Sequence, residues 1–492
     1  FMAENELYPI ALSDASDDEI LRHFLAARLP ERLIEDFFAL FEVVDRPFAV
    51  RSSSLLEDSH YQPFAGIYST YMVPAVTDRY ERLRLLSEAI KGVYASVFYR
   101  ASKAYMTATS NLIDQEKMAV IIQEVVGENH DGLYFPSFSG VGRSLNYYPL
   151  GDETPEDGVA EVAVGLGKYI VDGGVSLRFS PLHPEHVLQT STLDLALRQT
   201  QTYLCALPTD GENRTVTTDD SFNIVERPIQ SFANTGALRY LVSTFDPCDG
   251  YLKDYEEGRG RRVVTFNNIL RDKVFPLAPA IDFMLRHGQA AMQRPIEIEF
   301  AGNIAPDAAT SKEKGHIYWL QIRPIIDRKE LVTDAMLDSI PEDSIILRST
   351  TAIGNGNVDG ISAIVYVRPD AFDSAENRSL VDVLDKLNRE FIERGENYIL
   401  IGPGRWGSSD SALGIPVKWA DISGARLIVE ASLDNYRIEP SQGTHFFHNL
   451  TSFGVGYFTI DSSSPDALYD HSRLDAMQAD FDDGRIRVVR FH

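Results

Sequence analysis

The sequence predicts an α/β protein of more than one domain. Its 492 residues suit two to four domains, each long enough to bury a core. Short apolar runs that read as strands recur at 48–50, 67–73, 118–126, 295–300, 318–324 and 398–401. Stretches with apolar residues at helical spacing alternate with them, at 13–42, 78–106 and 376–394.

Composition narrows the function classes. Hydrophobic content of 44% and charged content of 24% are those of ordinary globular protein. A formal net charge of −26 repels nucleic acid and anionic membrane surfaces, so neither is expected as a partner. A nucleotide site would then need its own local cations. Cys205 and Cys248 are far apart and lack metal-ligand spacing, so idle thiols are expected. No run approaches the 18 or more apolar residues of a membrane helix. A cytoplasmic location is the expectation, and oligomeric state is left open.

Taken in order, residues 13–42 read as helix, with Ser13 and Asp14 as capping candidates and Asp17, Asp18 and Glu19 suited to a helix N-terminus. Leu29-Pro30 divides the run in two. The segment Pro47-Phe-Ala-Val-Arg51-Ser52-Ser53-Ser54, followed by Glu57-Asp58 and Phe64-Ala65-Gly66, sets an arginine and hydroxyls at the end of a buried strand. A guanidinium offers a permanently charged fork of donors to a polyphosphate. A glycine lets backbone N–H groups approach an anion. On spacing alone the segment reads first as a solvated strand end, with a phosphate site as the alternative. Residues 78–106 read as one long amphipathic helix carrying Arg100 and Lys103.

Residues 118–126 are a buried-strand run containing Gln123 and Glu124. Ser139-Gly140-Val141-Gly142-Arg143 and Glu161-Val-Ala-Val-Gly165-Leu166-Gly167-Lys168 follow. In 295–300, strand alternation puts Glu297 and Glu299 on one face. In 318–324 it puts Gln321 and Arg323 on one face. Two carboxylates opposite a Gln and an Arg suit a Mg²⁺–phosphate clamp. The alternative is a cross-strand Glu–Arg pair on an exposed sheet.

These segments, in this order, resemble the nucleotide-binding domain of the phosphoenolpyruvate synthase and pyruvate phosphate dikinase family, over roughly the first two thirds of the chain. The resemblance implies an ATP-grasp-like fold that moves a phosphoryl group from ATP to a histidine. It implies nucleotide contacts from Arg51, Ser52, Ser53, Gly66, Arg100 (Lys103 as its substitute), Gln123, Glu124, Glu161, Glu297 and Arg323, with Glu299 and Gln321 holding Mg²⁺. Two departures accompany it. Glu297 stands where an aspartate is usual, and Lys168 stands where a glutamate is usual, which reverses that position's charge. The family's upstream Gly-Gly-Lys element is not present in the fifty residues before Arg51. This, with Phe1 preceding Met2, leads to the expectation of a fragment of a longer protein or of an incomplete ATP site.

A boundary is expected near 335, giving a nucleotide-binding domain over 1–335 and a smaller α/β domain over 336–492. In the latter, Gly402-Pro-Gly-Arg-Trp-Gly-Ser-Ser-Asp410 follows a strand. It matches neither a Walker nor a dinucleotide loop. It reads first as a tight structural loop and second as an anion holder. Gln442-Gly443-Thr444-His445 is similar in layout to the family's swivelling phosphohistidine domain, which makes His445 the candidate phosphoryl acceptor, with His448 three residues on. The alternative is a buried histidine satisfied by backbone. An imidazole that changes charge near neutral pH suits nucleophilic phosphoryl transfer. The family's phosphoenolpyruvate-binding barrel has no counterpart here. Three functions follow: an ATP-dependent phosphotransferase with an unidentified acceptor, a non-catalytic ATP sensor, or an interaction protein that binds no nucleotide.

Overall fold

A computed structural model describes the chain except residues 55–65, 67, 109–116, 210–213, 233–235, 255–259, 326–333, 354–357, 370–371, 374–375, 411–412, 433–443, 445, 448–449, 451–454, 462–463 and 492. Glu57, Asp58, Phe64, Ala65, His445 and His448 therefore lie outside the described residues. Contacts divide the chain into two compact units. The first runs to Pro324. The second runs from Ile325 and also takes in Val171–Gly174.

After a single helical turn at Tyr8–Ala11, unit 1 has helices α1 (Asp17–Ala26) and α2 (Glu31–Val43). Pro30 stands at the junction before α2, as the Leu29-Pro30 break predicts. The cap of α1 is Ser16, whose side chain accepts the Glu19 N–H. Ser13 is instead engaged with Ile10 and Ala15 just upstream. Strand β1 (Phe48–Ser54) pairs antiparallel with β2 (Tyr71–Val73) and with a third strand described below. The single helix expected over 78–106 is two helices, α3 (Arg79–Ser96) and α4 (Arg100–Ala108). The Asp78 side chain caps the first by accepting from the Tyr80 and Glu81 amides. The Asp17 carboxylate accepts the Arg100 N–H at the start of the second, at 2.8 Å. Strand β3 (Met118–Glu124) completes the three-stranded sheet β2-β1-β3.

The larger sheet uses β4 (Phe138–Arg143), β5 (Val159–Ala163) and β6 (Leu177–Phe179), then, after helix α5 (Leu277–Met292), β7 (Ile296–Ile304) and β8 (Gly315–Pro324). Its order is β8-β7-β4-β5-β6, with antiparallel pairing throughout. Between β7 and β4 the register matches large to small: Ile298 opposes Gly142, Phe300 opposes Gly140, and Gly302 opposes Phe138. A Cβ on Gly140 would meet the Phe300 ring at 2.2 Å, and one on Gly302 the Phe138 ring at 2.4 Å. The glycines of the Ser139–Arg143 segment thus make room for aromatic rings on the face that also buries Ile281 and Leu285 of α5. The opposite face carries the polar residues. A bulge after Glu299 takes the register from Glu299–Gln321 to Phe300–Trp319, which keeps Gln321 and Arg323 with the glutamates.

Unit 2 is built on a seven-stranded sheet. Its strands are β9 (Thr351–Ile353), β10 (Ile361–Val367), then, after helix α6 (Asn377–Glu393), β11 (Asn397–Pro403). The short strands β12 (Arg405–Trp406) and β13 (Gly414–Ile415) pair with each other. Strands β14 (Ala425–Ala431), β15 (Gly456–Ile460), β16 (Ala479–Asp482) and β17 (Ile486–Arg490) complete the seven-stranded sheet. The sheet order is β9-β15-β14-β11-β10-β17-β16. Its four central strands, β10, β11, β14 and β15, run parallel. Their near-continuous apolar sequence suits strands buried on both faces.

Candidate functional site

The polar face of the five-stranded sheet is a grid of charges set by register. One row across the strands reads Arg323, Glu297, Arg143. The next reads Gln321, Glu299, Val141, Glu161, Arg178. The alternation of Glu297 with Glu299 and of Gln321 with Arg323 is therefore the one their spacing predicts.

Arg51 reaches this grid from the three-stranded sheet. Its Nη2 lies 3.1 Å from Glu299 Oε2 and donates also to Gln321 Oε1. Its Nη1 donates to Gln123 Oε1 at 3.3 Å. Arg323 Nη2 donates to the same Gln321 oxygen at 2.6 Å and stands 3.4 Å from Glu299 Oε1. Gln321 Oε1 and Glu299 thus each face two guanidinium groups. Glu297 forms an ion pair with Arg143, in which both side chains are almost fully enclosed, at 2% and 5% accessible. Arg51 and Glu299 keep 18% and 16%, so this end of the grid opens to solvent.

The expected residues fall into two groups. Arg51, Gln123, Glu297, Glu299, Gln321 and Arg323 come together. Ser53 shares the Arg51 face of β1 by alternation, and Ser52 is buried on the other. Glu124 opposes Phe48 and is exposed. Gly66 has φ +70, the left-handed turn that a glycine adopts at no steric cost. Arg100 is exposed at the head of α4. Lys103 donates to the Ser13 carbonyl at 2.6 Å. Glu161 lies on the grid but beyond Val141, accepting from Ser176 Oγ at 2.5 Å. Lys168 is ion-paired with Asp220 at 2.9 Å.

Two arginines of the grid were not singled out from sequence. Arg143 is the partner of Glu297. Arg178 Nη2 donates to Asn146 Oδ1 at 2.9 Å and to the Tyr148 carbonyl at 2.6 Å, with Glu153 Oε2 at 3.4 Å. By resemblance the Ser139–Arg143 segment reads as a turn, whereas it forms strand β4, and Arg143 carries no further signal of its own. Knowing that it faces Glu297 requires the pairing of strands some 150 residues apart.

In unit 2 the glycine-rich segment is a tight loop. Gly404 has φ +70 and Gly407 +78. Its successive amides are committed to protein acceptors: Gly404 to Ala431 O, Arg405 to Leu413 O, Trp406 to Glu430 Oε1 and Gly407 to Ile415 O. Those donors are spent on folding and do not form an anion cradle. The loop closes over a small cavity lined by Arg405, Trp406, Glu430, Thr444, Phe447 and Tyr457, among others. Burial pushes the Glu430 carboxyl up to about 7, against the opposing pull of the Tyr457 hydroxyl, the Trp406 N–H and the Arg405 charge.

A cluster of arginines and glutamates joins the two sheets of this α/β scaffold. The match to known proteins names the class. The pyruvate phosphate dikinase AMP/ATP-binding domain matches residues 9–343, more than half of the chain, and the chain belongs to that family. It is also similar, at 28% identity over 176 residues, to the protein called uncharacterized phosphotransferase YvkC of Bacillus subtilis (strain 168). That stretch is 36% of this chain and 19% of the relative's own length. At the level of the family, the chain carries an AMP/ATP-binding domain with the ATP-grasp-like fold. No helix among the described residues is long and apolar enough to cross a membrane.

Proposed function

We propose that unit 1 binds ATP on the Arg51–Glu299–Gln321–Arg323 cluster, and that the protein transfers a phosphoryl group from it to a histidine or to an external acceptor. The observation that carries this reading is the convergence of Arg51 and Arg323 on Glu299 and Gln321. Two guanidinium groups from different sheets converge on residues that the family resemblance assigns to the nucleotide phosphates. In phosphoryl transfer a protein contributes positioning and charge neutralisation, because the transition state spreads negative charge over its equatorial oxygens. Arg51 and Arg323 supply that charge, and Glu299 and Gln321 hold the two guanidiniums in place. Ser53 and Gln123 line the Arg51 side. Ser52, Gly66, Arg100, Glu124 and Glu161 remain nucleotide candidates by resemblance. The proposed division of labour is a nucleotide domain over 1–335 and a second domain over 336–492 that presents the acceptor.

The Mg²⁺ ligands expected from the family, Glu299 and Gln321 with Glu297 beside them, fit a cation poorly. Glu299 Oε1 and Oε2, Gln321 Oε1 and Glu297 Oε2 each face an arginine, whereas Mg²⁺ needs carboxylate oxygens turned toward it. No group of three or more His, Cys, Asp or Glu able to hold a metal occurs among the described residues. No step of the proposed reaction is routed through a protein-held metal.

His445 is the proposed internal acceptor. Its ring nitrogen would form the N–P bond as the P–O bond to the nucleotide breaks. The test is incubation of the protein with ATP labelled with ³²P at the γ or the β position, in wild type and His445→Ala. Acid-labile label that is present in wild type and lost in the variant supports the phosphohistidine enzyme, and its position names the phosphoryl group that moves. ATP binding with no label on the protein and no transfer to added acceptors leaves the second reading, an ATP sensor. Lys168, paired with Asp220 where the family usually has a glutamate, favours that second reading.

A further inference from the structure

Resting on the ATP reading, we infer that this site takes its polyphosphate on resident arginines without a protein-held divalent cation, and that Arg143 is the positioning residue responsible. Arg143 replaces a metal ion at Glu297. The family's acidic pair is present as Glu297 and Glu299, yet the grid sets Arg143, Arg323 and Arg51 against those two carboxylates. Three guanidiniums against two carboxylates leave a local charge of +1 in a chain whose formal net charge is −26. The sign suits a polyphosphate and opposes a second cation.

Enclosure makes the arrangement durable. Arg143 and Glu297 are 2% and 5% accessible, and Glu297 is flanked by Arg143 on one neighbouring strand and Arg323 on the other. To turn its Oε2 to a metal, Glu297 would have to leave Arg143. That would strand a buried guanidinium, which cannot shed its proton. The backbone beside Arg143 is pinned on β4: Ser144 Oγ accepts the Ile296 N–H, and the Ser144 N–H donates to the Ile296 carbonyl. Glu299 is open enough to meet a ligand, but Arg51 and Arg323 hold both of its oxygens. An incoming phosphate can take over those two guanidiniums, whereas a metal ion would find them in its way. A Mg²⁺ ion arriving on ATP would stay on phosphate oxygens and water.

The experiment is calorimetric titration of the full chain with ATP and with inorganic tripolyphosphate, each in excess EDTA and in excess Mg²⁺. Wild type is compared with Arg143→Met and with the paired variant Arg143→Met/Glu297→Gln. The paired variant removes both charges at similar volume and guards against misfolding of the single one. For wild type, the ATP dissociation constants with and without Mg²⁺ are expected to agree within about threefold. Arg143→Met exposes the Glu297 charge to the ligand site and should bind ATP at least about tenfold more tightly with Mg²⁺ than with EDTA. The paired variant should return to metal independence. ATP binding by wild type that depends on Mg²⁺ by about tenfold or more overturns the inference and leaves the ATP reading standing. So does a single variant that folds and stays metal-independent. Binding of neither ATP nor tripolyphosphate under any condition takes down the ATP reading and this inference together.

Discussion

Arg51 and Glu299 are 248 residues apart in sequence and 3.1 Å apart in space. This ion pair fastens the three-stranded sheet to the polar face of the five-stranded one. Because both side chains retain some solvent access, the pair adds little to stability. On the proposed ATP reading, its value is in holding a guanidinium where a phosphate can take it over.

Replacing that guanidinium should therefore separate binding from folding. Arg51→Met is expected to lower ATP affinity by about 10- to 100-fold, the range for losing charge-assisted hydrogen bonds worth roughly 1.5–3 kcal/mol. The melting temperature without nucleotide should stay close to that of wild type. Calorimetric titration beside a thermal melt checks both. A large fall in melting temperature with unchanged affinity would make Arg51 a structural residue.

Arg178 predicts the opposite pattern. It is 3% accessible against a fully enclosed Glu153, and it also holds Asn146 and the Tyr148 carbonyl. Arg178→Met leaves the Glu153 carboxylate buried beside a methionine and should destabilise unit 1 by about 3–5 kcal/mol. The urea midpoint of unit 1 should drop, while folded protein keeps its ATP affinity. An unchanged midpoint would mean that Glu153 finds compensation elsewhere.

Glu430 makes stability depend on pH. Burial raises its folded value from 4.5 to about 7, so between those limits the folded protein keeps a proton that the unfolded chain has released. The group's contribution is complete below about pH 4.5. It declines as pH rises to about 7, by on the order of 3 kcal/mol in all. Glu430→Gln can still accept the Trp406 N–H and has no such dependence. The melting temperature of wild type minus that of the variant should be higher at pH 5 than at pH 8. An equal difference at both pH values would show that the carboxyl ionises normally.

The loop above Glu430 should not tolerate a methyl group. Gly407 has φ +78, and a Cβ there would meet the Phe446 ring at 2.4 Å. Gly407→Ala combines left-handed strain with overpacking and should cost unit 2 about 2–5 kcal/mol. Thermal unfolding measures it. A neutral substitution would show that Phe446 moves aside freely.

What could be read in advance follows from the range of each interaction. The strands bearing Arg51, Gln123, Glu297, Glu299, Gln321 and Arg323 were legible because buried runs and a period of two are local properties. So was helix α6, whose apolar residues recur at helical spacing. The break between α3 and α4 was not legible, since the Asp17 carboxylate that caps α4 lies 83 residues upstream. The cap at Ser16 was displaced from Ser13 because both serines satisfy the same local chemistry. Arg143 escaped notice because its meaning depends on which strand lies beside it. Lys168 showed its reversed charge in the sequence but not the Asp220 that meets it. His445 lies outside the described residues.

The order of the five-stranded sheet has a consequence for the growing chain. Strands β4, β5 and β6 leave the ribosome well before β7, yet β7 is the strand that β4 needs for its glycine-lined face, with Phe300 and Ile298 filling the gaps opposite Gly140 and Gly142. Until residues 296–304 emerge, β4 has an open edge and unfilled notches where those side chains belong. Such an edge invites wrong pairing. Nascent chains halted between β6 and β7 should be protease-sensitive at β4, and protection should arrive in one step once β7 is released. On the proposed reading, ATP could not aid folding until β8 is also made, because Glu299 and Arg323 are among the last residues of unit 1 to be made.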